Sequence, residues 1–278
     1  MQLSKHHGLG NDFLVVLEEV NGPVTVDADL VRSLCERRRG IGADGLILGS
    51  RPTVAAAGPD RSAVDVVMTL WNADGSRAEM SGNGIRCLGQ ALALARDEHQ
   101  ASYLVATDAG VRQLSVRDDA EHRRAMVSVS MGPVGAGPAV PDVVVARLGA
   151  RRHATADMGN PHLVVEVDER DELDAVDLVQ EGSWLEQQFP SGVNVEFITA
   201  NGAADTLALR VWERGAGVTQ ACGTGAVAAA HLAHEWGLVG TEVRVDMPGG
   251  WADVVLGGPE PILIGPSQHI ATIERPDA

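Results

Sequence analysis

The sequence predicts an α+β protein of two similarly ordered halves, each with many short strands and one central helix. Three observations carry that reading. Short runs rich in Val, Leu and Thr recur between Gly, Pro, Asn and Asp along most of the chain, as strands bounded by turns do. The two best helical patterns, residues 84–98 and 224–236, lie far apart, one in each half. Finally, "EMSGNGIRCLG" at 79–89 and "QACGTGAVAAA" at 220–230 share one layout, a small polar residue, Gly, a second polar residue, Gly and an apolar helical run. The first has Ser81 where the second has Cys222.

In chain order, "DADLVRSLCERR" at 27–38 reads as a weaker amphipathic helix, and "LILGS", "DVVMTLW", "SYLVAT", "VRQLSVR" and "RAMVSVSM" read as strands around the first central helix. "MGPVGAGPAVPD" at 131–142 concentrates Gly and Pro without periodicity, and the boundary between halves is placed there. Beyond it come the strand "HLVVEV", a helix over "AVDLVQEGSWLEQQ" at 175–188, and the strands "NVEFI", "TLALRVW", "EVRVDM" and "ADVVL". The helix after Cys222 is almost wholly Ala, Val, Leu and His, so it is expected to be enclosed. "GND" at 10–12 has a partner in "GNP" at 159–161, a second sign of duplication.

With 278 residues the chain can bury a substantial core. A net charge of −16, and no basic cluster beyond "ERRRG" at 36–40, argue against nucleic-acid binding. Apolar runs such as "FLVVL" and "DVVVA" are too short for a membrane span, so a cytoplasmic protein is expected. Cys35, Cys87 and Cys222 form no CxxC pair, which points away from a disulfide framework or a thiolate metal site. Lys5 is the only lysine, a poor candidate for a pyridoxal-phosphate Schiff base. "GIGADG" at 40–45 lacks the strand before and the helix after that a dinucleotide loop needs, and His231, His234 and Glu235 lack a third convergent ligand. Neither a cofactor nor a metal is expected.

A thiol at a helix N-terminus faces unpaired N–H groups and the positive end of the macrodipole, which favours the thiolate. On that ground Cys222 is expected to ionise near neutral pH, and Gly223 and Gly225 let backbone amides approach an anion. Its bland alternative is a small buried apolar residue. For Ser81 the bland alternative is an ordinary N-cap, but Gly82, Asn83 and Gly84 repeat the cradle of the cysteine copy. Cys87, six residues further along the helix, turns to another face and reads as core, as does Cys35.

These motifs resemble the diaminopimelate epimerases, of the cofactor-independent amino-acid racemase and epimerase superfamily. The resemblance rests on "HGLGNDFLVV", "GIGADGLI", "WNADGSRAEMSGNGIRC", "MGNPH", "GVNVEFI", "VWERGAGVTQACGTGA" and "MPGG", in that order. It implies two pseudo-symmetric halves, each a strongly curved, mostly antiparallel sheet wrapped around its helix, with residues 1–131 and 267–278 in the first and 132–266 in the second. It implies conversion of LL-diaminopimelate to the meso form by a cleft enzyme, a small amino-acid substrate, no cofactor and a homodimer. Residue by residue, Cys222 matches one acid/base, and Ser81 stands where a second cysteine is expected. Asn11, Asn72, Asn160, Asn194, Glu213 and Arg214 match substrate-binding positions, while Gly82, Asn83, Gly223 and Thr224 match the carboxylate cradle. His162 and Glu213 match supporting polar residues. Gly45 departs from a position often held by Gln. Since a hydroxyl is a poorer base than a thiolate, Ser81 leaves open a related isomerase or dehydratase acting on another amino acid, or a lapsed amino-acid-binding protein.

Overall fold

The computed structural model describes residues 1–52, 64–119, 121, 123–200 and 205–276. The chain forms two compact units, Met1–Ser130 with Gly265–Ala278, and Met131–Ile264. The first unit runs β1 (Gln2–Gly8), β2 (Asn11–Leu17), α1 (Glu18–Asn21), α2 (Ala28–Cys35), β3 (Gly45–Ser50), β4 (Val66–Asn72), β5 (Arg77–Ala78), α3 (Gly82–Arg96), β6 (Gln100–Thr107), β7 (Gly110–Asp118) and β8 (Arg124–Ser130). The second holds β9 (Gly135–Ala136), α4 (Asp142–Leu148), β10 (His153–Asp157), β11 (Pro161–Glu166), α5 (Arg170–Ala175), α6 (Leu178–Gln187), β12 (Asn194–Ala200), β13 (Thr206–Glu213), β14 (Gly217–Thr219), α7 (Gly223–Glu235), β15 (Glu242–Met247) and β16 (Gly250–Val255). A long strand, β17 (Ile262–Glu274), gives its first three residues to the second unit and the rest to the first.

In the first unit the strands close a ring, β1-β2-β3-β4-β6-β7-β8-β17 and back to β1. Among the pairs whose register is described, β2–β3 and β4–β6 are parallel and the others antiparallel. A two-residue turn joins β1 to β2, with Leu9 and Gly10 at φ 56° and 87°; positive φ at both turn positions matches the twist of a hairpin. The second unit repeats the pairing order: β10–β11 antiparallel, β11–β12 parallel, β12–β13 antiparallel, β13–β15 parallel, then β15–β16 and β16–β17 antiparallel. The α+β class and the paired architecture expected from the sequence are both found.

The two strongest predicted helices are α3 and α7, and both are buried, α3 without interruption from Gly82 to Ala93. Ser81, extended at φ −140°, starts α3 by accepting the Gly84 N–H on its Oγ at 3.0 Å. Cys222, at φ −122°, starts α7 by accepting the Gly225 N–H on its sulfur at 3.4 Å. At Gly89 a Cβ would meet Leu114 and Val116 at 3.0 and 3.2 Å, so a glycine lets α3 approach β7. The helix expected over 175–188 is α6, capped by Asp177 through the Gln180 N–H, and a separate short helix, α5, precedes it and ends where Val176 turns extended. "DVVVA" belongs to a helix, α4, which begins after Pro141. Apolar side chains from β2, β3 and α2, among them Leu14, Leu46 and Val31, form one core. Leu163, Leu173, Leu185 and Phe197 belong to another, in the second unit. Among the described residues no helix is long and apolar enough to cross a membrane.

Candidate active site

The second unit gathers its polar groups around the first turn of α7. Cys222 is 5% exposed, and its sulfur lies 3.5 Å from Thr224 Oγ1. Thr224 Oγ1 accepts from Asn160 Nδ2 at 3.4 Å, and Asn160 Oδ1 is 3.0 Å from His162 Nε2. The other ring nitrogen, Nδ1, is 2.7 Å from Glu196 Oε1. Glu196 and His162 have no solvent exposure, and among the described residues Glu196 Oε2 has no hydrogen-bond partner. Strands β11 and β12 place these two side chains, while β13 ends at Glu213, which accepts a hydrogen bond from Thr219 and lies within hydrogen-bonding reach of Cys222. The turn can carry these groups because residue 225 is glycine. A Cβ there would stand 2.5 Å from Glu196 Oε1 and 3.2 Å from the sulfur.

The electrostatics of this cluster correct one expectation. The macrodipole argument makes Cys222 a thiolate near neutral pH, but the structure pushes its pKa well above the ordinary thiol value. Burial is the main cause, followed by the carboxylates of Glu213 and Glu196, and these outweigh the hydrogen bonds from Thr224 and the Gly225 N–H. Cys222 therefore rests as a thiol. Burial likewise raises Glu213 above the usual carboxylate range. Asn194 is buried and holds the edge of the site, donating to Pro161 O at 3.1 Å and accepting the Arg214 N–H at 2.9 Å. The Arg214 guanidinium is exposed and donates to Ser191 O at 2.9 Å.

In the first unit Ser81 caps α3, and Gly82 and Asn83 are buried in its first turn. Asn83 Oδ1 accepts from Arg86 Nη2 at 2.8 Å, and Asn83 Nδ2 donates to Asn11 Oδ1 at 3.3 Å. Asn11, placed by the β1–β2 turn, passes its own Nδ2 to Asp44 Oδ2 at 2.9 Å. Arg37 binds both Asp44 and Asp12 at 2.7 Å. Asn72 stands apart from this chain, exposed at the end of β4 and bonded to Ser76 Oγ at 3.0 Å. Gly45 is not a loose position. A Cβ there would meet Trp71 O at 2.5 Å and the Phe13 ring at 3.1 Å. Cys87 and Cys35 are buried, and burial pushes their thiols up to about 12 and about 11.

The family model for diaminopimelate epimerase matches residues 3–136 and 154–262. The chain belongs to the diaminopimelate epimerase family. Among the family's curated members, the Mycobacteroides abscessus diaminopimelate epimerase is 40% identical, the match covering 100% of this chain and 97% of that protein. The Synechocystis diaminopimelate epimerase is 36% identical, with 97% of each chain covered. In fold, the chain is similar to a hydroxyproline epimerase from Agrobacterium vitis solved with bound trans-4-hydroxy-L-proline, at 19% identity and a TM-score of 0.68 over 98% of this chain and 91% of that one.

Two side chains central to these networks, Glu196 and Arg86, lie inside the motifs "GVNVEFI" and "WNADGSRAEMSGNGIRC" but are given no site role by the sequence. Each leaves one trace in the sequence, a lone charge in an otherwise apolar element: "NVEFI" for the first, "GIRCLG" for the second.

Proposed function

We propose that the protein is a cofactor-independent isomerase that converts LL-2,6-diaminopimelate to meso-diaminopimelate, a precursor of lysine, and that Cys222 and Ser81 are its two acid/base groups. The observation that carries the reading is the buried Cys222 thiol, capped into α7 and ringed by Glu213, Glu196 and His162, in a chain of this family. Inverting the α-carbon requires one group to remove its proton and another to deliver one to the opposite face. The proton on Cys222 suits it to deliver. To remove the opposite proton Ser81 must first release its own to water, because its Oγ takes its incoming hydrogen bond from Gly84 and no acceptor for its proton exists among the described residues.

Each proposed role has a local support. Gly82 and Asn83 on α3, and Gly223 and Thr224 on α7, offer N–H groups to the substrate carboxylate and to the negative charge that grows on it as the proton leaves. Asn11, Asn72, Asn160, Asn194, Glu213 and Arg214 bind the remaining polar groups of diaminopimelate, Arg214 as a guanidinium for the distal carboxylate. His162 holds Asn160 and Glu196 in place. On this reading the two compact units are the two epimerase halves, and the enzyme works in the cytoplasm.

A second reading, elimination rather than inversion, is favoured by the hydroxyl of Ser81, at a position where the resemblance leads one to expect a thiol. Proton NMR in heavy water with LL- and meso-diaminopimelate separates the two. Deuterium wash-in at the α-carbon with inversion is the expected result, and an unsaturated product, or binding without exchange, overturns it.

A further inference from the structure

We propose that Arg86 is a positioning residue, whose buried guanidinium places an uncompensated positive charge behind the first turn of α3 and fixes the orientation of the Asn83 amide. The inference rests on the reading of that turn as a carboxylate cradle. Arg86 has no solvent exposure and is the largest fully buried side chain among the described residues. Its Nη1 donates to Gly82 O at 3.1 Å, its Nη2 to Asn83 Oδ1 at 2.8 Å and its Nε to Pro266 O at 3.3 Å. All three acceptors are neutral, and among the described residues no carboxylate pairs with it. Burial pulls its pKa down only to about 10, so it remains a cation at neutral pH.

The backbone is arranged to admit this charge. A Cβ at Gly8 would stand 3.1 Å from Arg86 Nη2, and one at Gly265 3.1 Å from its Cζ. A buried cation without a counter-charge is costly to the fold, and the natural complement is an anion that arrives with the ligand. The reacting carboxylate is such an anion, and it gains charge as the α-proton leaves. The guanidinium also decides which end of the Asn83 amide is committed. With Oδ1 held by Arg86, Nδ2 faces Asn11, and the orientation passes on to Asp44. In the second unit the residue at the same distance from its helix cap is Val227, and the charges near the α7 turn are carboxylates. The cation belongs to the unit that carries the hydroxyl.

The test uses three variants of the whole enzyme. Asn83→Asp gives Arg86 an anionic partner, and should raise the melting temperature by a few degrees while lowering kcat/KM, because it fills the charge complement the substrate would supply. Arg86→Met should raise the KM for diaminopimelate by roughly tenfold or more, the scale of a charge-assisted contact. Arg86→Lys, which keeps charge but loses the fork, should recover part of that loss. A melting temperature of Asn83→Asp equal to or below the parent's overturns the proposal, and does so whether or not Arg86→Met folds or the substrate is correctly named. Parent-like KM and kcat in a folded Arg86→Met overturn it too.

Discussion

His162 Nδ1 and Glu196 Oε1 stand 2.7 Å apart with neither side chain exposed to solvent. The second ring nitrogen of His162 faces another oxygen, Oδ1 of Asn160, whose amide nitrogen is committed to Thr224. A neutral imidazole donates only once. Among the described residues Glu196 keeps a second oxygen with no hydrogen-bond partner. Asn160 and Thr224 lead from this buried pair to the Cys222 sulfur.

The first prediction concerns the thiol itself. Because burial and two carboxylates raise its pKa, the thiolate should accumulate only as pH climbs beyond the ordinary thiol range. Labelling of Cys222 by iodoacetamide, followed by peptide mass mapping, should accelerate through pH 9 without levelling off. Glu213→Gln removes one of those charges and should speed labelling at pH 8. A plateau below pH 8 in the parent protein contradicts the structure.

Ser81 should behave as more than a cap. Ser81→Ala loses the hydrogen bond from Gly84, a cost of about 1 kcal/mol, and should also lower epimerisation by roughly 100-fold or more, as loss of an acid/base group does. Ser81→Cys should preserve or raise the rate in the presence of reductant. Turnover by Ser81→Ala at the parent rate would leave Ser81 a helix cap only.

Gly225→Ala should disrupt the α7 turn. Its methyl would lie 2.5 Å from Glu196 Oε1, a distance no side chain adopts without a shift. Overpacking of this kind costs about 1–3 kcal/mol, and here it displaces the carboxylate that holds His162. Thermal unfolding and the rate of α-proton exchange should both fall; an unaltered melting temperature would show that the carboxylate has room to move.

Placing at position 45 the Gln that the resemblance leads one to expect should fail for a related reason. The Cβ would collide with Trp71 O at 2.5 Å, so Gly45→Gln is expected to lower stability by about 1–3 kcal/mol rather than add a substrate contact. Calorimetry with and without diaminopimelate checks both halves of that statement.

His6 should make stability pH-dependent. Burial, the largest cause, lowers its pKa from 6.5 to about 3, so between those values the unfolded chain binds a proton that the folded protein does not. Stability from this group is complete above pH 6.5 and lost as pH falls toward 3, at about 1.4 kcal/mol per pH unit. Urea unfolding at pH 7, 6, 5 and 4 should show a steeper decline for the parent than for His6→Gln. Parallel declines would mean that His6 is protonated in the folded state.

The central helices were legible in the sequence because each combines a side-chain cap, flanking glycines and an apolar run, local signals that agree with one another. The capped α7 turn and its thiol were legible for the same reason. The acidity of Cys222 was not, since the carboxylates that oppose ionisation come from β12 and β13, nine or more residues away in sequence. The parts played by Glu196 and Arg86 were hidden likewise, because a single charge in an apolar run, even inside a motif, has no role until its neighbours are known. β17 escaped because Pro266 and Gly265 in its middle read as a turn. The strand accommodates them where it changes partner, pairing with β16 up to Ile264 and with β1 from Gln268.

That change of partner reverses the order in which the two units can mature during synthesis. Gln2 is paired with Glu274, so the ring begun by β1 stays open at β1 and β8 until the far end of β17, made much later, has emerged. The second unit needs nothing beyond Ile264. The segment translated later is therefore the one that can close first, while the earlier segment waits with two bare strand edges, the form in which a nascent chain is most exposed to mispairing and most dependent on chaperone cover.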